Sequence, residues 1–244
     1  MGAETAAADQ SKAAPGSVLA GAVVAFDLDG TLVDTAHDLV GTLNWLLAAE
    51  GLAPLPLNAA RPFIGKGARW LIERGFQAAG APLAVGDIQP FFDRFLVRYE
   101  AHIADESRPF PGCIAALEAL KAKGATLVVC TNKLTGLSTR LLDALDMTRL
   151  FAAVVGADRA PAIKPDPRHL LTAIAEVGGD RARAIMVGDA ATDAGAARAA
   201  DVPLILVSFG YTETPAADLA PDLLIDHFDD LPTACERLLG ACEP

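Results

Sequence analysis

The stretch VVAFDLDGTLVDT, residues 23–35, is an apolar strand ending in two aspartates one residue apart, followed by Gly-Thr. Burying a carboxylate costs free energy, and two close together repel. The pair must serve something, or sit in solvent as an Asp-rich turn. Residues two apart on a strand point to the same side. Asp27 and Asp29 therefore face one site while Leu28 turns away, and Gly30 lets the chain bend sharply or approach a ligand closely. Two carboxylates in one site suit holding a hard cation, or dividing a nucleophile from an acid–base. On this stretch alone, the solvated turn explains the pair equally well.

Working outward, similar apolar, β-branched runs recur: ATLVVCT, FAAVVGA, RAIMVGD, VPLILVS and DLLID. Most lack polar alternation, as expected of parallel strands covered on both faces. Helical patterns lie between them, in CIAALEALKAKG, LSTRLLDALDM, RHLLTAIAEVGG and DAGAARAAD. Strand alternating with helix predicts an α/β fold with an open, Rossmann-like parallel sheet, whose ligands bind at the carboxyl ends of the strands. One section breaks the rhythm. AHDLVGTLNWLLAAEG, GARWLIERGFQAAG and IQPFFDRFLVRYEAHIADE read as helices, with APLPL and RPFIGKG as connectors. The expected organisation is an α/β core over residues 21–36 and 109–244, with an inserted all-helical cap over 37–108. Trp45 and Trp70 fall on helical apolar faces and are expected in the core.

The chain has 244 residues and a formal charge of −11. That argues against a nucleic-acid partner, because phosphate backbones need a basic face. A small anionic substrate remains open, since a bound metal and a few cations can set the local field. No apolar run is long enough to span a bilayer. Residues 1–20 read as a loose, Ala-rich polar extension, without the basic-then-apolar pattern of a secretory signal. Cys113, Cys130, Cys235 and Cys242 form no CxxC pair and read as reduced thiols. The expectation is a cytoplasmic chain with no membrane partner, monomer or homodimer. His37, His102, His169 and His227 are scattered and carry no ligand spacing.

Three further stretches follow apolar strands. VVCTNK ends in Thr131, Asn132 and Lys133, where a hydroxyl, an amide and backbone N–H groups suit phosphate oxygens; an ordinary capped turn fits as well. AIKPDP holds Lys164 beside a rigid proline, where a point charge can neutralise a phosphoryl group, though a surface lysine is the simpler reading. IMVGDAATD places Asp189 to ligate a cation and Asp193 in a first helical turn, where an acid also merely complements the helix dipole.

In this order, the four stretches resemble the signature motifs of the haloacid dehalogenase superfamily, specifically its phosphatases, from about Gly21 to the C-terminus. The resemblance implies a phosphoric monoester hydrolase. It makes Asp27 the nucleophile that forms an aspartyl-phosphate, and Asp29 the acid–base. Thr131, Asn132 and Lys164 would bind the substrate. Mg2+ would be held by Asp27, the Asp29 carbonyl and Asp189, with Asp193 in support. GTLVDTAHDL, TLNWLLAAEGL and RPFIGKGARWLIERGF look like the phosphoglycolate phosphatase branch, implying 2-phosphoglycolate as substrate. By that likeness Gly65 and Lys66 lie near the substrate, with Lys66 or Arg69 meeting its carboxylate; the residues alone equally allow a helix start with a solvated lysine. The alternatives are a phosphatase of sugar or amino-sugar phosphates, or a mutase resembling β-phosphoglucomutase, which Thr31 disfavours.

Overall fold

Alternating side chains along each strand split the interior into two cores. The computed structural model describes residues 17–84 and 86–240. The chain runs β1 (Val23–Phe26), β2 (Val33–Asp34), α1 (Ala36–Ala49), α2 (Leu57–Ala60), α3 (Ala68–Ala78), α4 (Ile88–Ala101) and β3 (Arg108–Pro109). It continues through α5 (Cys113–Ala122), β4 (Thr126–Cys130), α6 (Thr135–Ala144), β5 (Ala153–Val155), α7 (Pro167–Glu176) and β6 (Ala184–Gly188). α8 (Ala191–Ala200), β7 (Leu204–Val207), β8 (Leu223–Ile225) and α9 (Leu231–Gly240) complete it.

Among the described residues, six parallel strands form one sheet in the order β5-β4-β1-β6-β7-β8. Val24, Phe26, Val129, Val187 and Ile205 face one core, roofed by α5, α6 and α9. Val23, Ala25, Val128, Met186 and Leu206 face the other, under α7 and α8. Small residues Ala194, Ala196, Ala197 and Ala200 pack α8 against that second face. The central strands β4, β1, β6 and β7 are thus buried on both sides, as their unbroken apolar runs predict, while the edge strand β8 leaves Leu224 40% exposed. The strand order reverses between β1 and β6, where an open α/β sheet leaves a crevice at its carboxyl edge.

The section between β2 and β3 is helical, and α1, α3 and α4 build a third core from Leu43, Leu47, Ile72, Phe76 and Phe95. Its two ends are tied together. β2 pairs with β3 antiparallel, Val33 opposite Pro109 and Asp34 opposite Arg108. At the start of α1, the buried Asp38 carboxylate accepts hydrogen bonds from Glu106 N (3.0 Å), Ser107 N (2.8 Å) and Ser107 Oγ (2.6 Å).

Several expectations need adjusting. α4 stops at Ala101 rather than running on to Glu106, because Asp38 takes the Glu106 and Ser107 N–H groups. The connector RPFIGKG opens with a 3-10 turn at Arg61–Phe63. β2, β3 and α9 add to the elements expected above; two-residue strands are too short to show a periodicity. Trp45 is not core but 39% exposed, with the guanidinium groups of Arg94 and Arg98 over its ring. Trp70 is only partly buried, with Lys66 and Arg74 over it. Of the expected extension, residues 1–16 lie outside the described residues, while Leu19 is fully buried in the first core. Cys113, Cys130 and Cys235 are free and buried; Cys242 lies outside the described residues.

Replacing Asp38 by Ala strands the Ser107 hydroxyl and N–H without their acceptor. Orphaned buried donors cost about 1–3 kcal/mol. Urea denaturation should show a loss of that order; an unchanged midpoint would mean the latch contributes nothing.

Candidate active site

Asp27 continues the β1 ladder, its N–H donating to Val187 O at 2.9 Å. The chain then turns at Gly30, whose φ of +87° is a left-handed conformation that suits glycine. A Cβ at Gly30 would also sit 2.6 Å from Asp189 Oδ2. This close passage brings the β1 loop onto the end of β6. There the Thr31 hydroxyl donates to Asp189 Oδ1 (3.0 Å), and Tyr211 N donates to Asp189 Oδ2 (2.7 Å).

Asp193 lies in the first turn of α8 and turns its side chain back. Its Oδ2 accepts from Asp189 N and Ala190 N, both at 3.1 Å, satisfying donors that a helix start leaves open. Its Oδ1 accepts from Lys164 Nζ at 2.7 Å, and the same ammonium lies 2.9 Å from Asp27 Oδ1. Gly188 is required here, since a Cβ would sit 2.4 Å from the Asp193 side chain. Asn132 holds the backbone of Lys164 from both sides: its Oδ1 accepts from Lys164 N (2.9 Å) and its Nδ2 donates to Lys164 O (3.0 Å). The Asn132 Nδ2 also donates to Gly65 O (3.1 Å), so this side chain spends its donors on positioning and joins the helical section to the sheet.

Asp29 has a different neighbourhood. Lys133 Nζ donates to both its oxygens, at 2.9 and 2.8 Å, and the Thr35 hydroxyl donates to Oδ1 at 2.8 Å. Lys133 and Thr35 carry a job the sequence did not assign. Lys133 stood visibly in the TNK run, but its partner lies 104 residues away in sequence. Tyr211 was also missed. Its hydroxyl accepts from Thr35 N (2.8 Å) and Ala36 N (3.1 Å) and bonds the Asp34 carboxylate, buttressing the loop after β1.

The electrostatics follow from burial. Burial is the main cause holding the Asp27 carboxyl up at about 6; Asp193 and Asp29 add to it and Lys164 opposes it. Burial, then Asp193 and Asp27, push Asp189 well above the usual carboxylate range. For Lys164 and Lys133, burial disfavours the charge, yet the facing aspartates outweigh it and hold both above the ordinary lysine value. Four buried carboxylates face two buried ammonium groups, so negative charge is in excess. Oxygens of Asp27, Asp189 and Asp193 lie within 4.8 Å of one another. Crowded, hard oxygen donors with surplus negative charge fit a divalent cation such as Mg2+.

Above these groups lies a cavity of about 230 Å³ between sheet and helices. Asp27, Asp29, Thr131, Asn132 and Lys133 line one side. Gly65, Lys66, Arg69 and Tyr99 line the other, among apolar walls such as Leu71, Phe92 and Phe95. Thus Asp27, Asp29, Thr131 and Asn132 share one space with Gly65 and Lys66, while Lys164, Asp189 and Asp193 lie buried at the sheet edge. Lys66 leans over Trp70 and is 3.7 Å from Glu213. His37 is exposed near Glu106, and His169 is buried, bonded to Val155 O at 3.1 Å.

An open parallel sheet with paired aspartates and a buried lysine at its switch point defines an enzyme built to handle a small, charged substrate. The chain belongs to the haloacid dehalogenase-like hydrolases: that family's model matches residues 24–207. A phosphoglycolate phosphatase of Caulobacter vibrioides is 58% identical over 224 residues, 92% of this chain and 94% of that relative. One of Agrobacterium fabrum is 49% identical over 88% of this chain and 93% of its own. A crystal structure described as a "predicted phosphoglycolate phosphatase" from Haemophilus somnus superposes with a TM-score of 0.81 at 31% identity, covering 87% of this chain and 96% of that one. Among the described residues, no helix is long and apolar enough to cross a membrane.

The raised Asp27 value has a stability consequence. Its folded value, about 6, lies above the ordinary 3.8, so folding favours the protonated form. The resulting stabilisation is complete below the unfolded value and lost as pH rises through the folded one. In excess chelator, Asp27→Asn should therefore gain on the parent as pH rises, by up to about 3 kcal/mol for the fully buried group. Thermal unfolding of both proteins at about pH 4 and about pH 8 checks this; a gap that does not widen contradicts it.

Proposed function

We propose that this enzyme hydrolyses 2-phosphoglycolate to glycolate and phosphate, with Mg2+, through an aspartyl-phosphate on Asp27. The carrying observation is the split environment of two neighbouring carboxylates. Asp27 is held by Lys164 at the acidic cluster, whereas Asp29 is held by Lys133 and Thr35 at the cavity wall. Different neighbourhoods suit different roles. The substrate is taken from relatives named for it.

In the first half-reaction, an Asp27 oxygen attacks phosphorus while the phosphorus–alkoxide bond breaks. Protonated Asp29 gives its proton to the departing glycolate oxygen. In the second, Asp29 accepts a proton from water as that water attacks the aspartyl-phosphate, releasing phosphate and restoring Asp27. Thr131 and Lys164 hold phosphoryl oxygens in line. Asp193 and Asn132 keep Lys164 in place. When bound at Asp27, the Asp29 carbonyl and Asp189, Mg2+ would neutralise phosphoryl charge.

Residues 37–108 act as a cap that closes over the substrate and excludes water. We extend the proposal to a cytoplasmic setting, as monomer or homodimer.

Phosphate release across a panel of monoesters tests this. 2-Phosphoglycolate should be the preferred ester, and chelation should abolish turnover. Asp27→Asn should lower kcat by at least about 1000-fold. Normal turnover in chelator removes the metal, and normal turnover by the variant removes the nucleophile.

A further inference from the structure

A substrate carrying a carboxylate beside its phosphate needs a second place for negative charge. Among the described residues, three cations line the cavity: Lys66, Arg69 and Lys133. Two are engaged at the surface. Lys66 has a 40% exposed side chain and lies over Trp70 near Glu213, and exposed Arg69 stacks on Phe92. Lys133 is buried, with its ammonium on Asp29 and 4.6 Å from the centroid of the Tyr99 ring.

Tyr99 supplies an independent observation. It is 1% exposed, it lines the same cavity, and among the described residues its hydroxyl makes no hydrogen bond of good geometry, its polar neighbour being the Lys133 ammonium. A buried hydroxyl left short of a well-formed hydrogen bond is costly, and beside an ammonium it offers a second donor to a polar guest. Lys164 is already shared between Asp27 and Asp193 and lies outside the cavity wall.

We propose that Lys133 and Tyr99 together form the receptor for the substrate's carboxylate. This rests on the reading of the enzyme as a phosphoglycolate phosphatase. The ammonium supplies charge and a donor, and the phenol supplies a second donor, matching a planar anion with two oxygens. Lys133 sits beside Asp29, so a carboxylate there leaves the ester oxygen near the acid–base. Elsewhere the apolar wall penalises an unpaired charge. Lys133 belongs to the loop after β4 and Tyr99 to α4, so the receptor is complete only when sheet and helical section meet. A carboxylate-bearing ester therefore favours the closed arrangement more than an ester lacking that group.

Ethyl phosphate replaces the carboxylate by a methyl group and serves as the comparison. With saturating Mg2+, kcat and KM are measured for both esters in the parent, Lys133→Met and Tyr99→Phe. The kcat/KM preference for 2-phosphoglycolate should fall by about 100-fold in Lys133→Met and about tenfold in Tyr99→Phe, mainly through KM. Tyr99→Phe carries the test if Lys133→Met fails to fold. If the parent prefers 2-phosphoglycolate but both esters fall by one common factor in the variants, the receptor is wrong and the function stands. If the parent hydrolyses neither ester, the phosphatase reading fails; if it hydrolyses both equally, the substrate reading fails. In either case the receptor falls with it.

Discussion

A single buried ammonium group organises this molecule. Lys164 lies between Asp27 and Asp193, and each carboxylate would be expensive to bury without it. Asp193 in turn caps the turn that presents Asp189, and Asn132 holds the lysine's backbone. Strands β1, β4 and β6, with the start of α8, are therefore coupled through charge at the sheet's carboxyl edge. The balance is incomplete, because acids outnumber bases there. That excess leaves room for a cation and, on top of burial, keeps Asp27 and Asp189 reluctant to ionise.

The helical section is built into this arrangement rather than added to it. It leaves the sheet at the loop after β1 and returns through the β2–β3 ladder and the Asp38 latch. The Asn132 amide reaches Gly65, so the group that positions Lys164 also touches the section opposite. The third core gives the cavity an apolar wall, and the sheet edge gives it a charged floor. Polar chemistry is thereby confined to a few side chains in a site of low dielectric, where each interaction counts for more.

Much of this was legible in the residues. The central sheet strands announce themselves as unbroken apolar runs because both faces are covered, and the long helices show a clear stripe. β2, β3 and the 3-10 turn at Arg61–Phe63 are set by contacts across the chain, so no local pattern betrays them. α4 ends early for the same reason, since a distant carboxylate competes for its continuation. Trp45 misleads because an indole can be shielded by arginine side chains as well as by a core. That Asp27, Asp29, Asp189 and Lys164 come together could be read from the chain because they stand beyond strand ends, and a parallel sheet gathers strand ends at one edge.

Composition and spacing by themselves settled the layered architecture and the set of charged residues at the strand tips, because periodicity and turn chemistry are local properties. Only the tertiary structure decided which charges face each other. It paired Lys133 with Asp29, gave Lys164 to Asp27 and Asp193, and set Tyr99 beside Lys133 at the cavity. Those pairings join residues distant in sequence, and their strength depends on burial and ångström-scale separations that only the packed chain defines.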